Sequence, residues 1–291
     1  MSKIMQLPTR LLQRRLKSNK ADFGHVFILA GSLKFSGAAL LAAEACLRSG
    51  AGLVTLGLPK NLCPAVLKAK AREIMLLPLA ETKERTLSIA AFKEIKNFTK
   101  KAQVLVIGPG LSGNKSTQGL ARKVISEIAI PMVIDADGLN ALAGHLNILL
   151  RRKGAAVPAV LTPHPGEMSR LLSIDTKKVQ AARKRVAKEL AGDYNCVIVL
   201  KGHRTVVAGP DKKIFVNTTG NPGMAKAGSG DVLSGIIGAF LAQGLSAFKA
   251  AVYAVYLHGL AGDLAKKEKT QISLIASDII AKIPAAIRKS H

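Results

Sequence analysis

Apolar positions along this chain fall into short unbroken runs that alternate with longer segments of helical spacing. The run His25-Val26-Phe27-Ile28-Leu29-Ala30-Gly31 is apolar from Val26 onward and ends in glycine, the pattern of a strand buried on both faces. Similar runs at 52–58, 74–79, 104–108, 132–135, 159–161 and 196–200 predict further strands. Between them, helical spacing predicts helices over 37–48, 87–100, 116–128, 139–150, 166–172 and 176–190. Repeated β-α order implies an α/β fold: a mainly parallel central sheet with helices on both faces. Residues 205–208 and 214–217 flank Gly209-Pro210-Asp211-Lys212 and predict an antiparallel hairpin. Helices over 231–243, 247–266 and 276–288 complete the pattern. No linker, low-complexity tract or repeat interrupts it, so residues 1–291 are expected to form one domain.

In such sheets ligands bind beyond the carboxyl ends of the strands. Five predicted strands end there in polar or glycine-rich turns: Gly31-Ser32, Gly108-Pro109-Gly110, Asp135 to Asn140, Thr162 to Glu167, and Lys201-Gly202-His203. One such turn is only a loop. Five at matching positions imply one crevice.

Composition sharpens this picture in two places. Aromatics are 4% of residues and Trp is absent, so the core is built from Ala, Val, Leu and Ile. The formal net charge is +25, which raises nucleic-acid binding as an alternative. That reading requires Lys and Arg clustered among aromatics. Here the cations are spread along the chain, including the stretch from Lys177 to Lys188, and are expected to focus phosphate-bearing substrates without a specific nucleic-acid partner. Cys46, Cys63 and Cys196 lack metal or redox spacing and are expected as buried free thiols, which suits a reducing cytoplasm. No apolar run approaches the about 18 uncharged residues of a membrane span, and no secretory signal opens the sequence. The basic segment Arg10 to Lys17 reads as a docked N-terminal piece rather than a transit peptide.

The richest chemistry lies in Asn217 to Gly235, where a glycine-rich turn reaches Gly228-Ser229-Gly230-Asp231 and an apolar helical run follows. The first N–H groups of a helix have no partner within it, and the helix dipole favours an anion there. Glycines allow close approach, and an acid beside the anion can take a proton. The pattern reads as a phosphoryl-transfer site. The plain alternative is a turn with Asp231 capping the helix. A side chain at Gly230 is expected to obstruct the approach to a phosphate or force an unfavourable backbone angle, so Gly230→Val is expected to abolish nucleotide-dependent protection against heat and Gly235→Ala, further along the helix, to do so much less.

These turns, in this order, resemble the NAD(P)H-hydrate dehydratase family of the ribokinase-like superfamily, over nearly the whole chain. The most specific parts are Thr162-Pro163-His164-Pro165-Gly166-Glu167, Val133 to Leu142, and Asn221 to Gly235. The resemblance implies a ribokinase-like three-layer α/β/α fold and repair of hydrated NADH and NADPH at the expense of ADP or ATP with Mg²⁺. By that resemblance Asp231 is the base and the N–H groups of Gly228, Ser229 and Gly230 are the anion hole. Lys201, Gly202, His203, Arg204, Thr205 and Gly230 would hold the nucleotide. Ala38, Gly110 and His164 would touch the hydrated substrate. Asp137 and Asn140 would assist or merely shape a turn, and Glu167 would hold Mg²⁺ through water. Phe35 stands where the family commonly has Tyr. His25, His145, His258 and His291 have no partner motif and read as structural or exposed, while Lys226 is either surface charge or a phosphate contact. The family's frequent companion, an epimerase domain, is not seen, so action on the S epimer beside a separate epimerase is implied. The resemblance also implies a homotetramer, and the compact form leans to ADP. The competing reading is a ribokinase-like kinase of a small hydroxylated vitamin precursor, which would share Gly228 to Asp231.

Overall fold

The structure, a computed structural model, describes residues 5–152 and 159–291. Its strands are β1 His25–Leu29, β2 Leu53–Pro59, β3 Met75–Leu79, β4 Val104–Ile107, β5 Met132–Ile134, β6 Val160–Leu161, β7 Val197–Leu200, β8 Val206–Ala208 and β9 Ile214–Val216. They form one sheet in the order β3-β2-β1-β4-β5-β6-β7-β8-β9. β1 to β7 pair in parallel, and β8 and β9 add the expected antiparallel hairpin. Pro78 is tolerated in β3 because that strand lies at the sheet edge.

The helices are α1 Thr9–Leu12, α2 Ser36–Arg48, α3 Cys63–Ala69, α4 Phe92–Phe98, α5 Lys115–Glu127, α6 Ala136–Leu142, α7 Asn147–Arg151, α8 Pro165–Leu172, α9 Thr176–Ala181, α10 Arg183–Asp193, α11 Ser229–Ala242, α12 Ala247–Glu268 and α13 Ala276–Lys289. They make two outer layers, so the architecture is three-layer α/β/α. Strand residues alternate between the layers. Val26, Ile28, Val104 and Val106 pack toward α2, α11, α12 and α13. Phe27, Leu29, Leu105 and Ile107 pack toward α4, α5, α6, α8 and α10.

The first layer approaches the sheet closely because α11 is small-residue rich. A Cβ on Gly238 would lie 2.7 Å from Val106 Cγ2, and one on Gly235 would lie 2.1 Å from the backbone oxygen of Ala42 in α2. This seating carries the N-terminus of α11 to the carboxyl edge of β5. At Gly235 backbone, not a movable side chain, occupies the space. Gly235→Ala is expected to cost at least about 1–3 kcal/mol by overpacking. Thermal unfolding should show Tm lowered by several degrees, and an unchanged Tm would mean that α2 yields freely.

Several element boundaries differ from the sequence expectation. The helix expected over 139–150 is two, α6 and α7, with Gly144 at φ 73° between them. The helix expected over 176–190 breaks at Ala182, which leaves helical geometry at φ −130° and ψ 34°. The segment 87–100 is a short α4 flanked by 3₁₀ turns. Helix α3 gave no periodic signal; Pro64 sits in its first turn, where a missing N–H is harmless. The N-terminal segment is docked: Leu7 N donates to Ser290 O, Arg14 Nη2 to Gly50 O, and the Arg14 guanidinium stacks 3.8 Å above the Phe23 ring. All three cysteines are buried and free. Among the described residues no helix is long and apolar enough to cross a membrane.

Candidate active site

Three strand ends and one helix start converge on a single ammonium. Lys201 leaves β7 with its N–H donated to Pro163 O, which turns the side chain back across the sheet edge. Its Nζ donates to Asp135 Oδ1 at 2.8 Å and lies 3.8 Å from Glu167 Oε2. Asp135, just after β5, is 1% exposed, and Ser234 Oγ from α11 donates to its second oxygen at 2.7 Å. Burial alone would raise the Asp135 carboxyl. The Lys201 charge, with hydrogen bonds from Lys201, Ser234 and Thr162, outweighs burial and holds it below the usual value. For Lys201 burial pulls down, but Asp135 and Glu167 leave the ammonium above its usual value.

Helix α11 begins at Gly228 in the left-handed region, φ 87° and ψ −17°, and no side chain caps it. A side chain at Gly228 would be strained by that φ and would also strike Leu41 Cδ1 at 2.5 Å. The backbone constraint expected at Gly230 thus falls on Gly228. Gly230 itself adjoins the ion pair: a Cβ there would lie 3.1 Å from Lys201 Nζ and 3.8 Å from Asp135 Oδ2. Of the three N–H groups expected to bind an anion, that of Ser229 is partly committed to Lys226 O at 3.4 Å. Asp231 sits in the first turn. Burial pushes its carboxyl up to about 7; Asp135, Glu167 and Asp137 add to the rise and Lys201 opposes it. Asp135, Glu167 and Asp231 therefore share the Lys201 ammonium, and a nucleotide polyphosphate entering here adds further negative charge unless a cation accompanies it.

The remaining expected residues group as follows. His164 caps α8: its Nδ1 accepts from the N–H groups of Gly166 and Glu167, while Glu167 Oε2 accepts from His164 N at 2.8 Å. With Nδ1 an acceptor, the ring proton belongs on Nε2. Burial lowers the His164 imidazole, which keeps it neutral for that role. Asp137 and Asn140 are tied into the turn: Asp137 accepts from Ser112 N and Asn140 Nδ2, and Asn140 Oδ1 accepts from Arg170 Nε. Ala38 and Gly110 face each other beside Phe35, since a Cβ on Gly110 would meet Ala38 Cβ at 3.1 Å and Phe35 Cβ at 2.8 Å. Phe35 is 52% exposed at this rim. Gly202, His203 and Arg204 form an exposed loop, closed by Thr205 Oγ1 donating to Gly202 O. Lys201 belongs with the acidic centre rather than with that loop. Lys226 is held by the backbone, its Nζ donating to Ile272 O.

Asp135, Ser234 and Arg183 were not singled out by sequence. Asp135 lay inside a quoted turn, but nothing in the turn says which of its two aspartates is buried. Ser234 is three residues after Asp231, on the same helix face, and that spacing was the available signal. Arg183, at the break between α9 and α10, donates to the carbonyls of Leu200 and Lys201 and braces the loop start; no local signal marks it. His25 is structural, bonded to Thr55 Oγ1 and edge-on to Phe98.

Among the described residues no three His, Cys, Asp or Glu side chains are grouped to hold a metal ion. Glu167 and Asp137 both act on the Asp231 carboxyl, and their carboxylate chemistry would suit a hydrated Mg²⁺ carried on phosphates.

A family model described as NAD(P)H-hydrate dehydratase matches residues 26–285. The chain is 42% identical to the bifunctional NAD(P)H-hydrate repair enzyme Nnr of Moorella thermoacetica, over 96% of this chain and 52% of that protein. It is 37% identical to the ADP-dependent (S)-NAD(P)H-hydrate dehydratase of Neisseria meningitidis, over 90% of this chain and 84% of that one. The crystal structure of the Bacillus subtilis ADP/ATP-dependent NAD(P)H-hydrate dehydratase, co-crystallised with ATP/Mg²⁺, superposes with TM-score 0.83 at 32% identity, covering 98% of this chain and 95% of that one. The chain thus spans about half the length of the bifunctional relatives.

Proposed function

The chain belongs to the NAD(P)H-hydrate dehydratase family, and from that premise we propose that it restores NADH and NADPH from their S-hydrates at the expense of ADP or ATP. The observation that carries this reading is the convergence of an uncapped, glycine-started helix, the Lys201 ammonium and a high-pKa carboxyl at Asp231.

The chemistry calls for those three parts. Hydroxide is a poor leaving group, since water has a pKa of about 15.7. Phosphate, with a second pKa of about 6, leaves readily. Asp231 takes the proton from the C6 hydroxyl as that oxygen attacks the terminal phosphorus of the nucleotide. The phosphorus–oxygen bond to the nucleotide breaks, and the shortened nucleotide leaves. The ring nitrogen lone pair then expels phosphate from C6, and loss of a C5 proton restores the double bond. The open N–H groups of the first turn of α11, with Lys201, face the charge on the transferring phosphoryl. Gly202 to Thr205 with Gly230 hold the nucleotide. Ala38, Gly110 and His164 form the substrate end, with Asp137 and Asn140 fixing its turn. Mg²⁺ would be held through water by Glu167, with Asp137 assisting, and would supply countercharge to the phosphates.

Residues 1–291 act in this proposal as one cytoplasmic dehydratase unit of a homotetramer, with a separate epimerase supplying the S form. The test incubates the protein with freshly prepared S-hydrate, Mg²⁺ and ADP or ATP. Dihydronicotinamide absorbance is expected to return with release of inorganic phosphate. Absence of turnover with either nucleotide overturns the proposal, and a stable phosphorylated alcohol as product would favour the kinase reading.

A further inference from the structure

Helix α12 lies behind the phosphate loop and holds it through one face. Positions Val255, His258, Gly259, Gly262 and Asp263 follow the i, i+3, i+4, i+7, i+8 spacing of a single helical stripe. The Val255 carbonyl accepts from Asn217 Nδ2 at 3.0 Å, and the neighbouring Tyr256 carbonyl accepts from Thr219 Oγ1 at 2.9 Å. Asp263 accepts from Gly220 N at 2.9 Å and from Asn221 Nδ2 at 3.0 Å. Gly259 and Gly262 leave room for the loop to sit down: a Cβ on either would lie 2.2 Å from Thr219 Oγ1 or Met224 Sδ, respectively. The stripe ends against the helix start itself, where His258 Nε2 and Ser229 Oγ are hydrogen-bonded at 3.3 Å.

That last contact has a chemical consequence. A serine hydroxyl at a helix start is able to hydrogen-bond to nearby backbone N–H groups. Here the same N–H groups are the ones proposed to receive phosphate oxygens, and the Ser229 hydroxyl is bonded to His258 instead. We propose that His258 is a positioning residue of the anion site: it draws the Ser229 hydroxyl sideways and keeps it from occupying the backbone donors that the nucleotide needs. The proposal rests on the reading of Gly228 to Gly230 as the phosphate seat. Burial pushes the His258 imidazole down to about 4, with a hydrogen bond to the Ser229 backbone opposing the fall, so the ring is neutral at working pH. It steers the hydroxyl without adding a charge.

The test is epistasis in direct binding of Mg²⁺·ADP, followed by calorimetry without turnover. His258→Ala is expected to weaken binding roughly tenfold, the scale of one or two lost hydrogen bonds. Adding Ser229→Ala to that variant removes the competing hydroxyl while retaining the backbone N–H, and most of the affinity should return. His258→Gln, whose amide can reach the hydroxyl, should bind close to wild type. A double variant as weak as His258→Ala overturns the proposal, as does a His258→Ala protein that binds like wild type. Should the alanine variant not fold, His258→Leu fills the space without a polar atom and must show the same recovery. A merely structural His258 would lower Tm without any rescue by Ser229→Ala. Wild-type protein that fails to bind Mg²⁺·ADP would instead bring down the reading of the phosphate seat, and this proposal with it.

Discussion

Asp231→Asn is expected to lower kcat by roughly 10²–10⁴-fold, the range for loss of a positioned base, with little change in the Kd for Mg²⁺·ADP. Asparagine keeps the shape of the side chain and much of its hydrogen bonding but cannot accept the proton. The wild-type carboxyl is pushed up to about 7, which suits a base working near neutrality. Wild-type kcat/KM should therefore rise with pH through about 7 on its acid side. The residual rate of the Asn variant should lack that limb. Turnover near wild type would leave Asp231 as a helix-start acid and nothing more.

The same substitution should stabilise the unliganded protein, and the sign follows from the shift. The folded state holds the Asp231 proton up to about pH 7, while an unfolded chain releases it near 3.8. Below the lower value both states are protonated and the group has no effect. As pH rises between the two values the unfolded state gains by ionising, and folded stability falls until the loss is complete above about 7. With allowance for solvent screening, that loss is roughly 1–3 kcal/mol. Tm of Asp231→Asn should exceed wild type at about pH 8 and converge with it near pH 4. A lower Tm at the alkaline end would show that the carboxylate is held by partners rather than burdened by its neighbours. Function and stability oppose each other at this residue, as is usual where a group is tuned for catalysis.

Much of the fold was legible because its strands are buried on both faces and therefore read as apolar runs between glycine-rich turns. The parallel sheet, the hairpin and the last three helices stand where the pattern put them. Helix breaks at Gly144 and Ala182 were not legible, since the apolar spacing runs through both. The site was legible where backbone geometry demands a residue type. Gly228 is the clearest case, although sequence placed the constraint two residues further on. It was illegible where burial decides the role. Asp135 and Asp137 are two residues apart in one turn, yet one pairs with Lys201 in the core and the other accepts from a loop N–H. His258 looked unpartnered because Ser229 lies 29 residues away in sequence. Lys201 looked like the start of a nucleotide loop because nothing local says that its side chain turns inward while Gly202 to Thr205 turn out.

Lys201→Met is expected to damage both stability and turnover, and a second substitution separates the two. Removing one partner of a buried ion pair costs about 3–5 kcal/mol, because the other charge is left without compensation. In the wild type the lowered Asp135 and the raised Lys201 both contribute stability across neutral pH. The Asp135 part is lost as pH falls through its depressed pKa, and the Lys201 part as pH rises through its raised one. With Met at position 201 only the Ser234 and Thr162 hydrogen bonds still oppose burial, so the Asp135 carboxyl moves up and the variant should lose stability as pH rises through the carboxylate range. Asp135→Asn in the same chain removes the stranded charge and still offers Ser234 an acceptor. Stability of the double variant should return to within about 1–2 kcal/mol of wild type, since neutral replacement of a buried pair is often tolerated. Turnover should not return. The Lys201 ammonium stands beside Gly230, in the proposed phosphate seat, and losing a donor aimed at developing charge costs roughly 10²–10³ in kcat. If the double variant regains turnover along with stability, Lys201 serves only to neutralise Asp135. If it regains stability alone, the ammonium acts on the transferring phosphoryl, and the deep ion pair exists to hold it there.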